Sequence, residues 1–217
     1  MDATFWQEKW VEHELAFHLP FVHPILERSL PLYGLADHAR IFLPLCGKTL
    51  DIGYLLARQY QVVGVELSSI AIIELFEALG VAPDITEWAG GKCWRHGELT
   101  VFEGDFFALM PEDLGPVDLV HDRAALVALP DGMRERYASR LLELTNGAQQ
   151  LVISFEYDQS QMEGPPFAVP AVSMERLYGG RYRLEELSRK DVINNMPAFQ
   201  ERGLARFEEV AWRLWPR

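Results

Sequence analysis

The stretch RIFLPLCGKTLDIGYLL, residues 40–56, combines a run of apolar residues, a short turn and a helical pattern. Residues 41–45 predict a strand, and the apolar positions 50, 52, 55 and 56 follow the period of an α-helix over 49–59. A strand, a turn that contains glycine and a helix form the outline of a nucleotide-binding loop. Most of the glycines of such loops are missing here, so the stretch indicates an α/β fold without identifying the nucleotide.

Strand and helix patterns alternate along the rest of the chain. Residues 62–67 are typical of a strand buried on both faces, and the next helix is predicted to begin at Ser68 or Ser69 and to stop at Gly80. Further strands are predicted over 99–105, 117–122, 150–157, 181–187 and 206–214, and further helices over 5–18, 21–32, 131–144 and 173–178. This order favours a single α/β domain, residues 1–217, with a mainly parallel sheet, helices on both faces and an antiparallel pair at the sheet edge.

The triplet GKT, residues 47–49, also ends the phosphate-binding pattern G-x-x-x-x-G-K-S/T. The first glycine of that pattern would fall on Phe42, and Pro44 removes a backbone N–H that a phosphate cradle uses. An NTPase with Lys48 and Thr49 at a phosphate is therefore a poor fit, although it stays among the alternatives.

A nucleoside cofactor without phosphates fits the loop better. The dinucleotide pattern G-x-G-x-x-G fails because only Gly47 and Gly53 are present, at the wrong spacing. S-adenosylmethionine has no pyrophosphate to hold, but its ribose hydroxyls need an acceptor at the end of the second strand, about twenty residues further on. Glu66 closes that strand nineteen residues after Gly47 and is the predicted acceptor, although a surface carboxylate at a strand end is also common.

The next two predicted strands also end in residues that suit a ligand. Asp105 and Phe106 follow the third strand, where a carboxylate can accept from an adenine amino group and an aromatic ring can cover the base. Ordinary core packing is the alternative for Phe106. His121, Asp122 and Arg123 end the fourth strand, and Asp122 is a candidate to fix the Arg123 guanidinium in an ion pair.

Composition argues against several classes of protein. The chain of 217 residues has a formal charge of -12 and a pI of about 4.9, without the basic face of a duplex nucleic-acid binder. It contains no apolar run long enough for a transmembrane helix and no secretory signal pattern. Cys46 and Cys93 are not a disulfide framework, so we expect a reduced, cytoplasmic setting. His18 and His23 lack the spacing of a helical zinc site, and no metal is expected.

Several motifs, taken in order along nearly the whole chain, resemble the thiopurine S-methyltransferase family. They are FWQEKWVEHELAFH (5–18), IFLPLCGKTLDIGYLL (41–56), VVGVELS (62–68), VDLVHDRAALVAL (117–129), GPPFAVP (164–170) and FQERG (199–203). The resemblance implies a seven-stranded, Rossmann-like class I methyltransferase fold. It also implies transfer of a methyl group from S-adenosylmethionine to a sulfur nucleophile, and bacterial relatives are linked to selenium and tellurium compounds.

The resemblance further implies a set of site residues by matched position. Those on the cofactor side are Trp10, Leu45, Gly47, Glu66, Asp105, Phe106 and Arg123, and those on the substrate side are Phe17, Arg123 and Arg202. On this view Arg123 orients the acceptor. No strong base is expected, because a soft thiolate or selenide is often ionised already near neutral pH.

Residues 1–32 are predicted to form a helical lid over the site. Trp10 and Phe17, seven residues apart, would lie on one face of a helix and exclude water, although they also suit a simple apolar anchor together with Trp6. We expect a monomer that acts on a small thiol, selenium or tellurium acceptor, with no nucleic-acid or membrane partner. A non-enzymatic protein that binds or senses S-adenosylmethionine or a metalloid on the same fold is the alternative.

Overall fold

The computed structural model describes residues 3–217, which form one mixed sheet with helices on both of its faces. The strands are β1 (Arg40–Pro44), β2 (Gln61–Glu66), β3 (Asp84–Trp88), β4 (Gly91–His96), β5 (Leu99–Glu103), β6 (Leu119–Arg123), β7 (Gln149–Glu156), β8 (Tyr182–Asp191) and β9 (Glu208–Pro216). The α-helices are α1 (Ala3–Val11), α2 (Pro24–Ser29), α3 (Asp51–Leu56), α4 (Ser69–Leu79), α5 (Pro111–Leu114), α6 (Asp131–Leu144), α7 (Ala171–Tyr178) and α8 (Pro197–Glu201).

The strands lie in the order β3-β4-β5-β2-β1-β6-β7-β9-β8. The five central strands, from β5 to β7, are parallel, which confirms the predicted class of fold. Antiparallel pairing occurs at both edges of the sheet rather than at one, because β4 is antiparallel to β5 and β9 is antiparallel to β7. Strand β9, the last in the chain, lies between β7 and β8.

The sheet has nine strands within the described range, not the seven implied by the resemblance. The two additional strands, β3 and β4, form a hairpin that pairs with β5. Residues 84–88, DITEW, are mostly exposed and polar, so they lack the apolar pattern from which strands are predicted. Side chains also tie the hairpin to β5, because the indole N–H of Trp94 donates to the Glu103 carboxylate at 2.8 Å.

Apolar layers cover both faces of the sheet. Adjacent residues of a strand point to opposite faces, so Ile41 and Phe42 enter different layers although both are fully buried. The layer around Phe42 contains apolar residues of α6 and α7, and the layer around Ile41 contains those of α2, α3 and α4. In residues 3–217, none of the helices combines the length and the apolar character that crossing a bilayer requires.

The N-terminal helices are shorter than predicted. Helix α1 ends at Val11, and His13 then adopts a left-handed conformation with φ of 54°, which turns the chain. The predicted helix over 5–18 therefore covers one helix and an irregular segment. Helix α2 begins only at Pro24, where the ring nitrogen Nδ1 of His23 accepts from the N–H of Ile25 at 3.2 Å and caps the helix.

Candidate active site

The candidate site lies at the carboxyl ends of the central parallel strands, where open α/β sheets bind their ligands. The strand order reverses between β1 and β6, which leaves a crevice next to the turn that follows β1. Four residues predicted to belong to the site lie at this edge of the sheet: Leu45, Gly47, Glu66 and Arg123.

The turn after β1 is folded tightly against β2. Leu45 and Gly47 both adopt left-handed conformations, with φ of 47° and 54°, and the N–H of Cys46 donates to the Val65 carbonyl at 3.1 Å. A Cβ added to Gly64 would lie 2.7 Å from the Cys46 Sγ, so β2 needs glycine at this point. Burial raises the pKa of the Cys46 thiol well above its usual value, and the Glu66 charge acts in the same direction. Cys46 is therefore a packing residue and not a nucleophile.

Glu66 connects the end of β2 to this turn. Its side chain is buried, one carboxylate oxygen accepts from the Gly47 N–H at 2.8 Å, and the other accepts from the Ser68 N–H at 2.8 Å. Burial raises the pKa of Glu66, whereas the N–H groups act to lower it. A carboxylate oxygen has a second acceptor position, so both oxygens can still accept from a pair of ribose hydroxyls.

Aromatic residues of the N-terminal segment cover the turn. The Trp10 ring is buried, and a Cβ added to Gly47 would lie 3.2 Å from its Cζ2 atom. The rings of Trp10 and Phe17 meet edge to face with their centroids 5.6 Å apart, although Phe17 lies beyond the end of α1. Lys48 lies over the Trp10 ring at 5.7 Å and pairs with Glu74 at 2.6 Å, so its ammonium group is already engaged.

Arg123 joins the end of β6 to the N-terminal segment. Its Nη1 donates to the backbone carbonyl of Phe17 at 2.5 Å. Burial lowers the pKa of the Arg123 guanidinium, while the charges of Asp51 and Glu209 act in the opposite direction. An arginine keeps its charge at neutral pH even so, and the site therefore holds a partly buried cation beside aromatic rings.

Asp122 does not fix the Arg123 guanidinium, so that part of the prediction is wrong. Neighbouring residues of a strand point to opposite faces, and Asp122 faces α6. Its carboxylate accepts from the Leu126 N–H at 3.0 Å and from the Tyr137 hydroxyl at 2.7 Å. Burial raises the pKa of Asp122, and these two hydrogen bonds act against the rise. The residue orders the chain immediately after Arg123.

Asp105 and Phe106 follow β5 at the same edge of the sheet. The Asp105 carboxylate is exposed and accepts from the Phe107 N–H at 2.9 Å. The Phe106 ring is buried and lies 4.9 Å from the Tyr137 ring, which is the core packing that the sequence left open. A contact from Phe106 to an adenine ring would therefore come from its backbone.

Arg202 stands apart from the other predicted residues. It follows α8, its side chain is exposed, and in the described chain no side-chain polar contact joins it to the strand ends. Helix α8 lies in the connection from β8 to β9, whose near ends, Asp191 and Glu208, pair beside the carboxyl end of β7. The structure thus places Arg202 on the same side of the sheet as the site but does not bring it to Arg123.

A buried pair that was not predicted from the sequence lies behind Arg123. The Nε2 atom of His121 lies 2.9 Å from Oδ2 of Asp51, and Oδ1 of Asp51 accepts from the backbone N–H of His23 at 2.7 Å. Burial acts to raise the pKa of Asp51, but the hydrogen bond and charge of His121 outweigh it and bring the value to about 2. The two residues are 70 positions apart, and the only local signal was a histidine in an apolar strand.

These residues fit a nucleoside cofactor better than a phosphate or a metal ion. The Glu66 carboxylate supplies hydrogen-bond acceptors for ribose hydroxyls at the end of β2. The Trp10 ring lies so close to Gly47 that the turn has no room to enclose a phosphate chain. Among residues 3–217, no group of three or more histidine, cysteine, aspartate or glutamate side chains is placed to hold a metal ion.

Comparison with solved structures supports the same class of protein. The chain superimposes on a methyltransferase from Anabaena variabilis, described as S-adenosylmethionine-dependent, with a TM-score of 0.63 at 13% identity, covering 99% of this chain and 95% of that one. It also matches the Burkholderia thailandensis 1,6-didemethyltoxoflavin-N1-methyltransferase, solved with S-adenosylhomocysteine, with a TM-score of 0.60 at 14% identity and coverage of 98% and 87%. The fold is that of the class I S-adenosylmethionine-dependent methyltransferases.

Sequence comparison then gives the family. The family model described as thiopurine S-methyltransferase matches residues 1–217. A protein of Teredinibacter turnerae named thiopurine S-methyltransferase is 42% identical over 214 residues, which is 99% of this chain and 97% of that protein. The chain belongs to the thiopurine S-methyltransferase family, and it is an enzyme that uses S-adenosylmethionine as its methyl donor.

Proposed function

We propose that this methyltransferase acts on small aromatic or heterocyclic thiols, including thiopurines, and that selenium and tellurium compounds are further acceptors. The observation that carries the proposal is the placement of Arg123, a cation at the end of β6 that is held by the Phe17 carbonyl. A guanidinium beside aromatic rings attracts a flat, anionic sulfur compound. The names of the relatives support the thiopurine part of the proposal.

Different residues of this chain would bind the cofactor, exclude water and hold the acceptor. S-adenosylmethionine supplies a methyl group activated by a sulfonium. Glu66 would accept from the ribose hydroxyls, the backbone of Leu45 and Gly47 would hold the methionine part, and Asp105 with the backbone of Phe106 would hold the adenine. Trp10 excludes water from the turn, and Arg123 stabilises the anionic form of the acceptor and holds it for in-line attack.

The loop 164–170 supports an aromatic acceptor. The N–H of Phe167 donates to the Val127 carbonyl at 2.7 Å, shortly after β6, and the Tyr157 hydroxyl donates to the Pro166 carbonyl at 2.6 Å. These contacts hold a partly exposed aromatic side chain beside the segment that follows Arg123. We propose that this loop forms the acceptor side of the site, to which Arg202 contributes when α8 moves closer.

The N-terminal segment, residues 3–20, is proposed to be the lid of the site. The later part of the predicted lid, from α2 onward, is not included, because Ile25, Leu26 and Leu30 are buried in the layer that packs on the sheet. The protein is proposed to be a cytoplasmic monomer. Support for a lid comes from the single hydrogen bond between Arg123 and Phe17 and from the ring contacts of Trp10. Support for a reducing compartment comes from Cys46 and Cys93, which are both buried and unpaired. Light scattering on the purified protein tests the monomer directly.

Binding and turnover test the proposal together. Titration calorimetry with S-adenosylhomocysteine is followed by methyl-transfer assays with a thiopurine and with selenite. We expect Arg123→Ala to lower kcat/KM for the thiopurine about 100- to 1,000-fold, because it removes a preorganised charge, while affinity for S-adenosylhomocysteine changes far less. Arg123→Lys is the matched control, since it keeps the charge and loses the planar fork.

The outcomes separate the parts of the proposal. Unchanged kinetics for Arg123→Ala would remove Arg123 from the mechanism. Turnover of the thiopurine without any methylated selenium product would remove the metalloid acceptors and keep the thiol. Parent kinetics for Arg202→Ala would remove Arg202 from the acceptor side.

A further inference from the structure

The buried pair of His121 and Asp51 has a feature that simple packing does not explain. The low pKa of Asp51 means that its carboxylate is ionised and accepts, so the Nε2 atom of His121 carries the proton of their hydrogen bond. The other ring nitrogen of His121, Nδ1, is buried and has no hydrogen-bond partner among the described residues. Buried polar atoms nearly always have a partner, which here points to a water or ligand contact.

A small cavity is lined in part by this histidine. Its volume is about 10 Å³, room for about one water molecule, and its other lining residues are Leu43, Pro44, Cys46, Thr49, Asp51 and Arg123. His121 and Arg123 are two residues apart on one strand, so their side chains leave the same face of β6. The cavity is therefore lined both by His121 and by the cation that is proposed to hold the acceptor.

We propose that His121, supported by Asp51, accepts the proton of thiols that arrive at the site un-ionised, through a water molecule in this cavity. This inference rests on the proposed function, in which a thiol lies beside Arg123. The S–H bond breaks, its electron pair stays on sulfur, and the proton is relayed to Nδ1 while Nε2–H stays bonded to Asp51. The sulfur then forms its bond to the transferred methyl group, and one proton leaves per turnover.

Several charged and titratable groups lie around His121. Asp51 faces it from α3, Asp122 is its neighbour on β6, and Arg123 shares its face of the strand. The Cys46 thiol on the turn stays neutral, because burial raises its pKa. A further charged group, Glu209, lies behind Asp51, where its Oε2 atom is 3.3 Å from Nε2 of His23. The carboxylates offset the positive charge of Arg123 at this position.

His18 is the competing candidate for the same role. It is partly buried, and burial lowers the pKa of its ring, as do the charges of Lys48 and Arg123, so it is a neutral base at pH 7. Its side chain makes no hydrogen bond within the described residues, however, and nothing orients the ring toward Arg123. His121 is held by a charged partner and faces a cavity, which is the arrangement of an oriented base.

The substitution His121→Gln separates a structural role of the pair, the hydrogen bond to Asp51, from the proposed role as proton acceptor. A glutamine amide can donate to Asp51 as Nε2 does, but it has no basic nitrogen. At pH 7 we expect kcat/KM to fall about 100-fold for an alkyl thiol that is mostly un-ionised, a typical contribution of a general base, and less than about 3-fold for an acidic heterocyclic thiol. Below the pKa of the alkyl thiol, the rate of the variant should rise about tenfold per pH unit, following the ionisation of the thiol itself.

A spectroscopic measurement tests proton transfer without turnover. Aromatic thiolates absorb at longer wavelength than the thiols, so the ionisation of a bound thiophenol can be read in the complex with S-adenosylhomocysteine. We expect the parent protein to hold the thiolate at a pH where His121→Gln holds the thiol. Asp51→Asn should give a result close to that of His121→Gln, because asparagine has one acceptor oxygen where Asp51 uses one for the His23 N–H and the other for His121, and it also loses the charge. His96→Gln, at an exposed site on β4, is the control.

Three outcomes overturn the inference. Equal loss on both thiols would show that the pair is structural, and loss of S-adenosylhomocysteine affinity would show that it holds the cofactor. A selective loss with His18→Gln instead of His121→Gln would move the proton acceptor to the N-terminal segment. A parent protein that methylates neither thiol would contradict the proposed function, and the absorbance measurement would still report whether His121 takes the proton.

Discussion

The turn after β1 and the N-terminal segment form two walls of one site, but they are held in different ways. The turn is tied into the sheet through Cys46, whose N–H reaches β2, and through Glu66, which accepts from the Gly47 N–H. The N-terminal segment contacts the turn through the Trp10 ring. It is also joined to the end of β6 by one hydrogen bond, from Arg123 to the Phe17 carbonyl. We therefore propose that the fold preorganises the turn, the expected cofactor side, and that the N-terminal segment can be released.

The difference predicts how substitutions should behave. Changes in the turn or in β2 remove buried partners, so they should lower the stability of the whole domain together with cofactor affinity. Changes in the N-terminal segment should alter binding and local protection while the sheet stays intact.

Glu66→Ala should have the largest effect on this comparison. It leaves the N–H groups of Gly47 and Ser68 without their partner, at roughly 1–3 kcal/mol each, and removes the acceptor for the ribose. We expect the affinity for S-adenosylhomocysteine to fall about 100-fold by calorimetry, and the free energy of unfolding in urea to fall with it. Glu98→Ala, at an exposed position of the opposite edge, is the matched control. Normal cofactor binding in Glu66→Ala would refute the ribose assignment.

Gly64→Ala should break the contact between the turn and β2 without touching any charged group. Its Cβ would lie 2.7 Å from the Cys46 Sγ, and overpacking of this kind costs about 1–3 kcal/mol. Gly53→Ala on α3 is the contrasting change, because its Cβ meets only Leu79 Cδ2 at 3.4 Å and alanine favours the helix. We expect the urea midpoint of unfolding to fall in Gly64→Ala and to rise in Gly53→Ala. Rescue of Gly64→Ala by Cys46→Ala would confirm the cause, and a neutral Gly64→Ala would show that the turn shifts freely.

Trp10→Ala should have the smallest effect on the sheet and a clear effect on the lid. The side chain is buried, but its neighbours are the turn and Phe17 rather than the central layers. We expect faster proteolytic cleavage before residue 20 and weaker protection by S-adenosylhomocysteine, with the urea midpoint lowered by less than Gly64→Ala lowers it. Val11→Ala, at an exposed position of the same helix, is the control. A loss of stability as large as that of Gly64→Ala would place the segment in the cooperative core.

The central fold was predictable because its signals are local. Strands β2 and β7 are buried on both faces and read as continuous apolar runs, and α6 was predicted over the residues it occupies, Asp131–Leu144. The position of Glu66 at the end of the second strand, nineteen residues after Gly47, also followed from sequence, but the hydrogen bond from the Gly47 N–H to its carboxylate was not predicted.

The features that were missed depend on partners distant in sequence. The hairpin of β3 and β4 is stabilised by its neighbour β5 and not by an apolar pattern of its own. The pairing of His121 with Asp51 depends on the packing of α3 against β6, which no spacing rule encodes. The direction of Asp122 was predictable from strand alternation, and overlooking that alternation led to the wrong ion pair with Arg123.

The position of β9 has a consequence for how the chain is made. In the described structure β8 pairs only with β9, and β9 also covers the outer edge of β7. Residues 208–216 follow β7 and β8 along the chain, so during synthesis β7 has an open edge and β8 lacks a neighbour until β9 has emerged from the ribosome. A chain that stops before residue 208 would therefore be prone to aggregation, even though the strands at the candidate site were already made.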